Sequence, residues 1–328
     1  MTSKGKVLIT GASGFIGHHL SKYLIRKGFY VIGTYNKRKP RIIHNKFLPL
    51  YIGDAKSKNS WDPIVSSVDF VIHLIGKAHV FDKRNKAILK EFREVNVEIT
   101  RALATSCLKT KRLKKIIYVS SVSAIASSSA LPLKDDTECR PDTEYGLTKY
   151  EAEKILEEVL GDSKAWCILR PPSIYGPGDP GNLSRLINLI KKSVPLPLKS
   201  VENKKSFLYV GNFNETIYRL LMREDVSFKK YLISDNEIIS TPDLIKLISK
   251  ILNKRVYLFH FPETWLLRLG QIGDYLKFLL KIDIGFNSYA VERLIGSLMI
   301  DNSRIKKELN FDLPFSLFEG LKETLKEE

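Results

Sequence analysis

Cysteine is scarce in this chain: 328 residues carry only Cys107, Cys139 and Cys167. Three widely separated cysteines make neither a disulfide framework nor a metal-ligand spacing. They point to a reducing compartment, and the cytoplasm is the expected location. The six histidines form no HExxH or comparable pair, so no metal site is expected. No run of about 18 apolar residues occurs, which argues against a membrane-spanning helix. Near the start, MTSKGKVLIT passes from a short apolar run straight into a glycine-bearing turn; it reads as a first strand, not a secretion signal. There are no internal repeats and no low-complexity tracts.

Acidic residues are also outnumbered, 36 against 53 basic, for a formal net charge of +17. Such an excess suits nucleic acid, an anionic membrane surface or an anionic small substrate. The basic residues are dispersed over 37–41, 109–115, 191–192 and 204–205. They are not interleaved with RNA-stacking aromatics or set in a helix-turn-helix, so nucleic acid is not an expected partner. The stretch 265–280 is amphipathic, with Arg268, Asp274 and Lys277 among its apolar residues. A helix packed on its own domain is expected there, with a membrane-surface helix as the alternative.

What is present is a regular alternation. Short apolar runs at 6–10, 30–34, 47–52, 70–74, 116–121 and 166–169 read as strands, and 18–27, 83–108 and 145–160 have helical spacing. Strands alternating with helices imply an α/β fold, a Rossmann-type doubly wound parallel sheet. The pattern breaks where six prolines fall between Pro171 and Pro197, the expected start of a smaller, loop-rich lobe. The expected division is a nucleotide-binding domain over 1–171, with a return at about 206–254 through a strand at 231–234 and a helix at 242–252. A substrate lobe would comprise 172–205 and 255–328.

Gly11, Gly14 and Gly17 in Thr10-Gly-Ala-Ser-Gly-Phe-Ile-Gly17 follow a strand and open a helix. Glycines there let backbone approach a pyrophosphate, and the helix N-terminus offers free N–H groups through Phe15 and Ile16. A dinucleotide site is therefore expected. The second strand ends in Tyr35-Asn36-Lys37-Arg38, without the acid that binds both ribose hydroxyls of NAD. Lys37 and Arg38 suit a 2′-phosphate instead, which favours NADP(H), with NAD left open. Asp54, beside Ala55, is a candidate for the adenine side, and Leu74 ends the fourth strand against the same crevice.

Tyr145-Gly-Leu-Thr-Lys149 opens a helix and puts Tyr145 and Lys149 on one face. A tyrosine titrates near pH 10. A lysine ammonium one turn away lowers that value and fits the phenol for proton transfer to or from a hydroxyl. The fifth strand ends in serines; Ser121 is the chosen donor to the reacting oxygen, with Ser120 and Ser123 as neighbouring registers.

On these residues the chain resembles the extended short-chain dehydrogenase/reductases, in the UDP-glucose 4-epimerase-like group of nucleotide-sugar epimerases and dehydratases. The resemblance covers TGASGFIG at 10–17, Gly53-Asp54, VIHLIGKAHV at 71–80, Val95-Asn96, YVSS at 118–121, YGLTK at 145–149, LRPPSIYGPG at 169–178 and the tail from Asp301. It implies catalysis by Ser121, Tyr145 and Lys149 with Asn96 assisting, and a nicotinamide pocket lined by Pro171 and Pro172. It implies substrate contacts at Ser123, Asn182, Lys205 and Arg293, and a homodimer formed by main-domain helices. The likeness departs at Lys205, where UDP-galactose 4-epimerases carry an arginine, and at Tyr35, where they carry an acid. Val122-Ser123 replace the acidic pair of the dehydratases. The expected activity is reduction of a 4-keto UDP-N-acetylated or 6-deoxy sugar for polysaccharide biosynthesis. A UDP-hexose 4-epimerase holding NAD tightly is the alternative, and a non-catalytic NADP-sensing scaffold a remote one.

Overall fold

Apolar runs without alternation, such as Val7-Leu-Ile and Ile116-Ile-Tyr-Val, suit strands covered on both faces. In the computed structural model, which describes residues 4–78, 86–280 and 287–326, seven strands build the main sheet. They are β1 (Lys6–Thr10), β2 (Tyr30–Tyr35), β3 (Phe47–Tyr51), β4 (Phe70–His73), β5 (Lys115–Val119), β6 (Trp166–Arg170) and β7 (Lys229–Leu232). Their order is β7-β6-β5-β4-β1-β2-β3 and every pairing is parallel. The order reverses between β1 and β4, which opens a crevice at the carboxyl ends of both strands. Motif residues His79 and Val80, and the first residues of the expected helix, 83–85, lie outside the described residues.

Helices α1 (Phe15–Arg26), α2 (residues 86–109), α3 (Glu144–Leu160), α4 (Asn182–Lys191), α5 (Val210–Met222), α6 (Thr241–Ile251), α7 (Glu263–Leu280) and α8 (Ser288–Ile295) follow in chain order. Alternate residues of β1 face opposite layers. Val7 and Ile9 join Leu20 and Leu24 of α1 and Phe213 and Ile217 of α5 in one core. Leu8 joins Leu103 and Cys107 of α2 and Ala152 and Leu156 of α3 in the other. Helix α2 is interrupted at Glu94–Glu98 by a widened π turn, a deformation that commonly marks function. Asn96 lies within it.

A third core lies apart from the sheet and gathers Leu186 and Ile187 of α4, Ile245 and Ile248 of α6, Leu266 of α7 and Val291 of α8. Within residues 206–254, α5 packs on the main-sheet core and β7 pairs with β6, whereas α6 packs in the third core. An amphipathic helix records that one face is buried, not which core receives it. Ser240 caps α6, its side chain accepting from the Asp243 N–H at 3.1 Å. Helix α7 packs on its own lobe through Leu266 but leaves several large apolar residues in solvent.

Candidate active site

The turn after β1 is shaped by what its third glycine excludes. A Cβ at Gly17 would lie 2.4 Å from the Gly11 carbonyl oxygen and 2.8 Å from Ala12 Cα, both backbone atoms that cannot step aside. Gly11 itself has φ +70°, where side chains other than glycine are strained. Gly14 caps α1 without a side-chain hydrogen bond, so the N–H groups of the first helical turn, from Phe15 and Ile16 onward, lack intrahelical partners. The Ile16 side chain packs on the main core. A glycine cradle at a helix N-terminus fits a dinucleotide pyrophosphate.

A pocket of about 590 Å³ adjoins this turn, lined by Ser13, His18, Arg38, Lys39, Pro40 and Arg41. Of the cations expected here Arg38 lines it. Lys37 does not, and Lys39 and Arg41 take its place because the chain bends after β2. Tyr35 stacks edge-on against Tyr51, centroids 5.9 Å apart. Asn36 is drawn to the next strand, its Nδ2 donating to the Ile52 carbonyl at 3.2 Å. Asp54 Oδ1 accepts from the Lys56 N–H at 3.0 Å and caps its own turn. Ala55 supplies its carbonyl to Trp61 Nε1 at 2.8 Å.

Tyr145 and Lys149 stand one turn apart on α3. A Cβ at Gly146 would meet the Ser123 carbonyl oxygen at 2.1 Å, so glycine lets the start of α3 close on the loop after β5. Thr143 caps the helix, accepting from the Gly146 N–H at 3.0 Å. Lys149 is buried; its Nζ donates to the Val119 carbonyl at 2.7 Å and lies 4.3 Å from the Tyr118 ring centroid. Burial pushes the ammonium down to about 7, against the opposing charge of Glu153. Glu153 is in turn held by Arg170 at 2.6 Å, both side chains almost fully enclosed. Tyr145 is partly buried, its ring 6.3 Å from that of Phe92.

Ser121 accepts from the Ser123 N–H at 3.1 Å through Oγ, which leaves its own O–H to donate. Ser123 is buried, and Ser120 Oγ is buried with no hydrogen-bond partner among the described residues. Asn96 joins two elements through its amide. Its Oδ1 accepts from the Lys77 N–H at 2.7 Å, and its Nδ2 donates to Thr148 Oγ1 at 3.0 Å and to the Lys77 carbonyl at 3.2 Å. The amide thus ties the loop after β4 to α3. A Cβ at Gly76 would lie 3.4 Å from Asn96 Oδ1 and 3.6 Å from Lys149 Nζ, so that loop runs between the two.

Sequence reading passed over a buried polar line behind this group. Thr10 Oγ1 pairs with His73 Nδ1 at 2.8 Å and accepts from the Leu74 and Ile75 N–H groups at 3.0 and 3.2 Å. His73 Nε2 meets Thr100 Oγ1 at 3.0 Å. Burial, aided by the Lys149 charge, lowers His73 to about 3, so its imidazole is neutral and positions the ends of β1 and β4. A histidine and a threonine closing otherwise apolar strands were the available signal.

Pro171 and Pro172 follow β6 and are buried, Pro171 accepting from the Val122 N–H at 2.9 Å. In the smaller lobe Lys205 Nζ donates to the Arg293 carbonyl. Burial and the neighbouring Arg293 charge push Lys205 down to about 7. Two expected substrate cations are thereby brought side by side, while Asn182 stands exposed at the start of α4.

A model described as the NAD dependent epimerase/dehydratase family matches residues 7–234. The chain is 31% identical over 324 residues to a UDP-glucose 4-epimerase of Vibrio cholerae, covering 97% of this chain and 94% of that one. It is 26% identical to N-acetyl-alpha-D-glucosaminyl-diphospho-ditrans,octacis-undecaprenol 4-epimerase of Escherichia coli O157:H7, over 98% of this chain and 95% of that one. A UDP-glucuronic acid 4-epimerase from Bacillus cereus, solved with NAD, shares the fold with TM-score 0.77 at 19% identity, over 98% of both chains.

Proposed function

This chain belongs to the NAD dependent epimerase/dehydratase family, and on that premise we propose that it catalyses a nicotinamide-dependent reaction at C4 of a nucleotide sugar. One observation carries the reading: Tyr145 stands one turn before a buried Lys149 whose Nζ is pinned to the Val119 carbonyl at the end of β5. Tyr145 holds the proton exchanged with the sugar O4, Lys149 stabilises its phenolate, and Ser121 donates its O–H to the same oxygen. Asn96 acts as a positioning residue. The cofactor, when bound, supplies the hydride donor or acceptor. Gly11, Gly14 and Gly17 would hold its pyrophosphate, and Pro171 and Pro172 would border its nicotinamide end. Lys205 and Arg293, with Asn182, would receive the substrate diphosphate, since the two cations lie side by side. Residues 1–171 with the return through β7 form the cofactor domain, and the rest forms the substrate lobe.

The direction we favour is 4-keto reduction with NADPH, because Arg38, Lys39 and Arg41 surround a pocket next to the glycine turn and no acid ends β2. A second reading, C4 epimerisation with retained NAD, is supported by end-to-end likeness to two 4-epimerases. Titration with NADPH and NADH, followed by nicotinamide fluorescence, separates the two. Exchangeable binding that prefers NADPH at least tenfold, with the preference lost in Arg38→Ala/Arg41→Ala, supports reduction. NAD that co-purifies and survives gel filtration assigns epimerisation.

A further inference from the structure

We propose that α7 docks the substrate lobe on the surface of an anionic phospholipid bilayer. The helix uses a narrow face of Leu266, Gly270 and Gly273 to pack on its own lobe, and these three are buried. Trp265, Leu269, Ile272 and Leu276 recur at spacings of four, three and four on another face, with Tyr275 at its edge. Their exposures are 53%, 40%, 53%, 36% and 62%. A folded domain rarely leaves five large apolar side chains on one helix in water unless that face has a partner. A tryptophan and a tyrosine flanking aliphatic residues suit the headgroup boundary of a membrane.

Charge selects the partner. Residues 182–200 and 253–280 carry eight basic and two acidic side chains. Lys192, Lys199, Lys254, Arg255 and Arg268 among them are exposed. The two segments are stitched together by the Leu196 N–H donating to the Tyr257 carbonyl at 2.9 Å and the Phe259 N–H donating to the Leu196 carbonyl at 3.1 Å. The Arg268 guanidinium lies 5.2 Å from the centroid of the Trp265 ring, so charge and apolar surface share one face. Cations around an apolar stripe repel a second copy of this strongly basic chain and attract an anionic lipid plane. The docking face is separate from Tyr145 and Lys149, and its assignment does not depend on the reaction catalysed.

The tryptophans provide the probe. Trp61 and Trp166 are buried, and Trp265 is the exposed one of the three. The full chain is mixed with vesicles of phosphatidylglycerol and phosphatidylcholine, some carrying brominated acyl chains, and is then sedimented. The expected result is co-sedimentation that grows with phosphatidylglycerol and weakens in high salt. Trp265 emission should shift to the blue and be quenched by bromine, and quenching should vanish in Trp265→Phe. Ile272→Lys, at a solvent-exposed position, should weaken vesicle binding about tenfold or more with an unchanged circular dichroism spectrum. Failure of the wild-type chain to bind at about millimolar lipid, or binding without quenching, overturns the proposal. A dimer seen by light scattering and split by Ile272→Lys also overturns it, and names a second copy as the occupant.

Discussion

Replacing Glu153 with alanine should cost the protein much of its stability and disturb the site at the same time. Glu153 is fully enclosed, and Arg170 Nε and Nη2 donate to its carboxylate at 3.0 and 2.6 Å. Burial alone would lower the arginine, yet the carboxylate more than offsets this and the pKa of Arg170 is raised. Alanine leaves the guanidinium in the core, where Cys139 Sγ accepts from Nη2 at 3.3 Å. Removing one partner of a buried pair costs about 3–5 kcal/mol, against a total of about 5–15 kcal/mol for a typical domain. Urea denaturation followed by circular dichroism measures the loss. The double variant Glu153→Leu/Arg170→Met removes both charges and should recover most of it. A loss below about 1 kcal/mol in Glu153→Ala would refute the reasoning, since a screened surface pair behaves that way.

Lys149 gives the protein a distinct pH dependence. Its pKa falls from 10.5 to about 7 on folding, so between those values the unfolded chain binds more protons and stability rises with pH. From pH 7 to 9 the gain is about 2 kcal/mol; Lys149→Met should remove this increment, and equal slopes in the two proteins would contradict it. Gly17→Ala forces a Cβ to within 2.4 Å of the Gly11 oxygen and should weaken NAD(P)H binding at least tenfold in a fluorescence titration; unchanged affinity would clear the turn of that role. Gly146→Ala drives a Cβ against the Ser123 carbonyl at 2.1 Å and should lower kcat by displacing Tyr145, at roughly constant cofactor affinity. Wild-type kcat there would show that α3 need not close on the β5 loop.

Much of the fold was legible because parallel strands are buried on both faces, and Val7-Leu-Ile or Ile116-Ile-Tyr-Val declare that without context. Tyr145 and Lys149 were legible for a different reason, since i,i+4 spacing is set by the helix itself. Placement in three dimensions was not. The helix opened by Thr241 reads the same whether it covers the sheet or the smaller core. Arg41 reaches the pocket in place of Lys37 because of a bend after β2 that no side-chain pattern records. Asn96 was read as a group assisting the chemistry, and both ends of its amide are spent on Lys77 and Thr148. The Glu153–Arg170 pair joins a helix to a strand 17 residues apart in sequence, and nothing in either segment alone marks it as buried.

The most direct test of the account is the turnover of Tyr145→Phe, measured beside its NADPH and NADH affinities on purified protein with a UDP-4-keto-hexose and with a UDP-hexose. Loss of the phenolic proton should lower kcat by about 10²- to 10⁴-fold while cofactor binding is retained. A variant that turns over either sugar at the wild-type rate would contradict the account.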